Sequence, residues 1–186
     1  STLLVTLFPY TTLFRSPVTR AAARIQGPLI LALGEAPADL RFFFEMLVRL
    51  APDITTVRAL CRACEVRPST LMSRFSRAGL PSPKSYLASV RLLHAAHLLE
   101  APGRSIADVA YRLEYSSPQS FGRHVRAMLG ITSLEFRRRF PFPAALARFL
   151  ELMIVPYRGV WPVFHPLETG SWDSGHCLAV QAPPPH

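Results

Sequence analysis

Lysine is almost absent from this 186-residue chain: Lys84 stands alone, and arginine supplies the rest of the 21 bases. That bias matters because a planar guanidinium grips phosphate oxygens and guanine edges with two bonds, where an ammonium is a point charge. Cysteine is nearly as scarce. Cys61, Cys64 and Cys177 are too few and odd in number for a disulfide framework, which points to the reducing cytoplasm. No apolar run is long enough for a transmembrane helix; a membrane-surface or protein-interaction module remains a further alternative, but no membrane partner is expected. Glycine-rich phosphate loops are missing, and no serine sits in a nucleophile-elbow context. The sequence therefore gives catalysis no support and implies no cofactor.

Acidic residues are also few where it counts. Residues 54–140 carry fourteen bases against five acids, which is the whole of the chain's +9 net charge and leaves the remainder neutral. A polyanionic partner is implied for that central segment.

The flanks read differently. Residues 1–16 include Thr6–Ser16, TLFPYTTLFRS, which resembles the in-frame translation of a short-read sequencing adapter. They are expected to be foreign or disordered, with authentic sequence from near Pro17. Residues 17–53 are expected to hold one amphipathic helix, in which Phe43, Met46, Leu47 and Leu50 share a face. This segment reads as the remnant of a larger N-terminal part. Residues 141–186 hold eight of the 18 prolines. They are expected to form a mostly irregular tail, with room for one apolar helix over 144–155.

A repeat organises the centre. Val57, Leu60, Cys61 and Cys64 match Ile106, Val109, Ala110 and Leu113, each set spaced as one helix face. Glu65-Val66 then matches Glu114-Tyr115 at a turn. Ser69 and Ser117 are candidate N-caps for the helices that follow, with Pro118 suited to a first helical position. Those helices carry Leu71, Phe75 and Phe121, Val125 inward, leaving Ser73, Arg74, Arg77 and Gln119, Arg123, Arg126 outward. A short helix, a tight turn and a second helix rich in polar groups make a helix-turn-helix unit. Between the copies, Ser82 caps a long helix that stops at Pro102-Gly103. Its roughly 17 residues give a rigid spacer of about 25 Å. The fold class is all-α: two helix-turn-helix subdomains joined by a linker helix.

These motifs, RPSTLMSRFSRAGLPSPKSYL at 67–87, RLLHAAHLL at 91–99 and SIADVAYRLEYSSPQSFGRHVRAMLGITSLEFRRRF at 105–140, resemble the DNA-binding domain of the AraC/XylS family of bacterial transcription regulators. The resemblance covers residues 54–140. It implies a cytoplasmic activator that binds double-stranded DNA, lays two recognition helices in adjacent major grooves and works with RNA polymerase. Dimerisation would come from an additional N-terminal domain. By resemblance Arg67, Ser69, Thr70, Ser73, Arg74 and Arg77 form the first reader. Ser116, Ser117, Gln119, Ser120, Arg123, His124 and Arg126 form the second. Arg74, Gln119 and Arg123 are expected at base edges, and Arg67, Arg77, Arg112 and Arg137 at phosphates. Two positions depart from the family pattern. Glu114 replaces the usual turn glycine, and Ser133 the usual proline after Gly130-Ile131-Thr132.

The competing reading is a thiol- or metal-dependent enzyme using Cys61, Cys64, His94 and His97. The cysteines fall on the buried face of a helix, where packing is the simpler role. For the two histidines the one further ligand nearby is Glu100, a turn further on, which leaves a metal set incomplete, so packing or phosphate contact is the simpler role.

Overall fold

The computed structural model describes residues 17–167, which are all-helical. Helices α1 (Pro17–Leu33) and α2 (Ala38–Leu50) precede the first repeat, α3 (Val57–Ala63) and α4 (Pro68–Arg77). The linker is α5 (Pro83–Leu99), followed by α6 (Ile106–Arg112), α7 (Pro118–Leu129) and α8 (Ser133–Arg139). Helix α9 (Phe142–Phe149) runs into a π turn over Leu150–Ile154 and short 3-10 turns at Val155–Tyr157 and Trp161–Val163.

The linker is not an exposed spacer. Tyr86, Leu87, Val90, Leu92, Leu93, Ala95, Ala96, Leu98 and Leu99 are buried on all its sides, and α5 touches each of the other eight helices of the described residues. A helix that is apolar all round belongs in a core rather than on a surface. Both helix-turn-helix units lean on this one post.

Residues 17–53 form two helices rather than one. The Gly27-Pro28 pair hides α1, because proline in a helix interior removes a hydrogen bond and crowds the preceding turn. Tertiary burial outweighs this: Ala21, Ile25, Leu29 and Leu33 recur along one face and are buried, with α1 against α5. On the same side, Arg24 pairs with Glu100 at 2.7 Å and lies over the Phe142 ring at 4.0 Å, joining α1, α5 and α9.

The segment from residue 141 is more regular than its proline content suggests, as far as residue 167. Pro143, Pro156 and Pro162 each fall at the start of a helical turn, where the missing N–H has no role. Trp161 is fully buried, donates Nε1–H to the Ile154 carbonyl at 2.9 Å and sets its edge against Phe44. The Tyr86 hydroxyl donates to the Met153 carbonyl at 2.9 Å. The apolar helix expected over 144–155 is there, within α9 and the π turn, but the rest up to Leu167 is not the irregular tail expected; Trp172, Cys177 and residues 1–16 lie outside the described residues. No single helix among the described residues is long and apolar enough to cross a membrane.

Candidate nucleic-acid interface

Each unit is built by the same local rules. Thr56 caps α3, its side chain accepting from the Ala59 N–H at 3.3 Å. Ser105 caps α6 through a reciprocal box with Asp108. Both turns then pass through a left-handed residue that is not glycine: Glu65 at φ 52° and Glu114 at φ 56°. The steric conflict of a Cβ in this region costs about 1 kcal/mol. Glu114→Gly and Glu65→Gly are therefore each expected to raise stability by about 1 kcal/mol, read as an increase in urea midpoint; an unchanged or lower midpoint contradicts the strain.

The recognition helices open differently. Ser117 caps α7 as the sequence suggests, accepting from the Ser120 N–H at 3.1 Å with Pro118 at the first turn. Ser69 does not cap α4. Pro68 already occupies the first turn, the cap position falls to Arg67, and Ser69 lies inside the helix and exposed. At α8, a Thr132–Glu135 capping box supports the start where Ser133 stands in place of proline.

With Leu71 and Phe75 of α4 and Phe121 and Val125 of α7 buried, the helical period fixes what faces out. Ser69, Ser73 and Arg77 are exposed on α4, and Gln119, Arg123 and Arg126 on α7. Thr70, Ser117 and Ser120 are half-buried, while Arg67, Arg112, Ser116 and Arg137 are exposed. Arg123 donates to the Ser120 hydroxyl at 2.9 Å, which pre-orients its guanidinium along α7. Arg137 donates to the Arg104 carbonyl at 2.9 Å. One exposed residue of α4 that the sequence reading passed over is Met72, at 41%. It lies between buried Leu71 and exposed Ser73, so its exposure carried no periodic signal; its apolar tip is of the kind that can meet a thymine methyl.

Two expected readers are turned elsewhere. Arg74 sits at the flank of α4 and donates to the Pro166 carbonyl at 2.8 Å, beside Phe164, whose ring meets Phe75 edge-on at 4.9 Å. That segment is in turn anchored by Asp39, which accepts from the Leu167 N–H and pairs with His165 at 3.0 Å. His124 occupies the corresponding flank of α7. Its Nδ1 meets the Tyr115 hydroxyl at 2.5 Å, and burial pushes its pKa down to about 4. A neutral imidazole holding a turn tyrosine is a support for α7 rather than a phosphate ligand.

Behind both units lies Arg91 of α5, buried among carbonyls. It donates to Ala51 and Ile54 at the end of α2, at 2.8 and 2.5 Å, and to Leu113 at the turn of the second unit. It also stacks on the Tyr115 ring at 4.5 Å. Carbonyl oxygens, not a carboxylate, satisfy this charge.

Cys61, Cys64 and His94, weighed for thiol or metal chemistry, are all buried. Cys61 and Cys64 are buried on α3, and burial holds the Cys64 thiol up at about 12, so it stays protonated and unreactive. His94 is buried in α5 with Nε2 on the Val48 carbonyl at 2.9 Å. Among the described residues no three His, Cys, Asp or Glu side chains gather as a metal set.

A family model described as a helix-turn-helix domain matches residues 60–139, the stretch from the core of α3 to the end of α8. Residues 60–139 are thus similar to an AraC-type helix-turn-helix domain. The lactose operon transcription activator of Staphylococcus xylosus is 28% identical over 85 residues. That match takes in 46% of this chain but only 30% of the activator's own length. No solved structure matches. Both matches support DNA binding in transcription regulation for these residues.

Proposed function

We propose that this protein is a sequence-specific transcription regulator, acting as an activator, whose α4 and α7 read two successive major grooves. The observation that carries this reading is the duplication itself: two capped recognition helices with outward polar and arginine faces, both braced on α5. Base edges fall to Gln119, Arg123, Ser73 and Met72. Phosphates fall to Arg67, Arg77, Arg112, Arg126 and Arg137, which position without specifying. An activator must also touch RNA polymerase, and dimerisation would fall to a domain beyond these residues. Residues 54–140 are the reading domain, and α1, α2 and α9 are its buttress.

Selection of duplexes from a randomised pool by the full chain, at two salt concentrations, tests this. Two short motifs about 10 base pairs apart that persist at higher salt are the expected result. Binding that selects no sequence and fades with salt refutes it.

The selected duplex then separates the arginines. Arg123→Ala is expected to weaken binding by about 1–3 kcal/mol and relax preference at one base position. Arg74→Ala, whose guanidinium is held by Pro166, should change affinity by less than about 0.5 kcal/mol. Equal losses from both would mean that Arg74 leaves Pro166 to reach DNA.

A further inference from the structure

Where α5, the second helix-turn-helix unit and α9 meet, the core stays open. A cavity of about 170 Å³ lies between Leu92 and Leu93 of α5, Leu129 at the end of α7, Phe136 of α8 and Phe149 of α9. It is larger than the roughly 150 Å³ apolar cavity that suffices to hold a benzene-sized guest.

Its lining is apolar with two exceptions, Ser89 and Arg148. No acidic side chain lines it. The Arg148 guanidinium lies along the wall, 5.8 Å from the Phe140 ring, and that ring contact is its interaction among the described residues. A cation at the edge of an apolar chamber whose lining holds no acid is complementary to a short hydrocarbon that ends in one negative charge. A charge-assisted, two-pronged bond from arginine to carboxylate would fix the polar end, and Ser89 adds a hydroxyl. The dimensions favour a body of about six carbons.

We propose that this cavity is a binding site for a small apolar monocarboxylate, and that its occupation alters duplex binding by the second unit. The site touches the last turn of α7 and α8, so a guest presses on the element that carries Gln119 and Arg123. The first half stands on the cavity alone. The second half rests on the DNA-binding reading and is measured separately.

The test uses the full chain and hexanoate as probe, with hexanol and hexylamine as neutral and cationic controls of the same length. Calorimetric titration is expected to show saturable hexanoate binding, at least tenfold tighter than either control. Arg148→Gln, an exposed position, should weaken hexanoate at least tenfold and leave hexanol unchanged. Ala145→Leu, which fills the wall of the cavity, should weaken both hexanoate and hexanol. Absence of saturable binding, equal binding of hexanol, or indifference to Arg148→Gln overturns the site. Duplex affinity, established first without probe, is then measured at saturating hexanoate. A change of threefold or more, lost in Arg148→Gln, supports the effector role; an unchanged affinity overturns that role.

Discussion

Replacing Arg91 by leucine is expected to remove more than about 3 kcal/mol of folding stability, enough to leave little of the native state in a protein of ordinary stability. The guanidinium is almost fully buried, and its N–H groups satisfy the carbonyls of Ala51, Ile54 and Leu113. A leucine would fill part of the volume, but it would leave three buried acceptors without donors, each costing about 1–3 kcal/mol. It would also take away the cation over Tyr115, whose hydroxyl props His124 in α7. Arg91→Lys should recover only part of the loss, since one ammonium cannot span three carbonyls on two separate chain segments. Urea unfolding of the full chain reads the effect. A loss under 1 kcal/mol for Arg91→Leu would mean that water reaches these carbonyls and the bridge contributes little.

Mild acid is the second large effect. Burial drives the His94 pKa down to about 4, with His97 and Arg91 nearby acting in the same direction and the Val48 bond opposing them. His124 is also held at about 4, by burial and by Arg91. In the unfolded chain both imidazoles bind a proton near the ordinary value of 6.5. The unfolded state therefore takes up more protons than the folded state between these two values. Stability is full above about pH 6.5, falls as the pH drops towards 4, and levels off once the folded form protonates as well.

Each pH unit in that window costs about 1.4 kcal/mol for a fully buried imidazole, so His94 alone removes about 2 kcal/mol at pH 5. His124, half-buried, adds a smaller share. The capping carboxyls of Asp108 and Glu135, held below their ordinary values by the bonds from Ser105 and Thr132, are lost only at lower pH and do not confuse the window. The urea midpoint should fall steadily from pH 7 to pH 5, and more gently in His94→Gln. A midpoint that is flat over this range would show that His94 is hydrated or already charged in the native state.

The repeat was legible because its information is local. Leu60, Cys61 and Cys64 lie one helical turn apart, and Ser105, Ser117 and Pro118 act within three residues of the backbone they serve. Even the cost at Glu114 could be anticipated from the missing glycine, and the left-handed φ bears it out. What could not be read is long-range. Arg74 looks like any recognition-helix arginine until the Pro166 carbonyl, 92 residues away, accepts a bond from its Nη1. Helix α5 looks like a spacer because Arg91, His94 and His97 interrupt its apolar pattern. Only the fold reveals that Arg91 and His94 point at carbonyls inside the core rather than at solvent. Helix α1 was hidden by Gly27-Pro28, since local propensity disfavours what packing on α5 then imposes.

A post shared by every helix has a mechanical consequence. Neither half of the reading domain has a hydrophobic core it can keep if the other melts, because the side chains that bury Leu60 and Val109 line the same rod. The two readers should therefore share one fate in partial opening, with their slowest amide protons exchanging together rather than as separate cooperative units. Damage at either end would unfold both helix-turn-helix units at once, so the domain would respond as an all-or-none element.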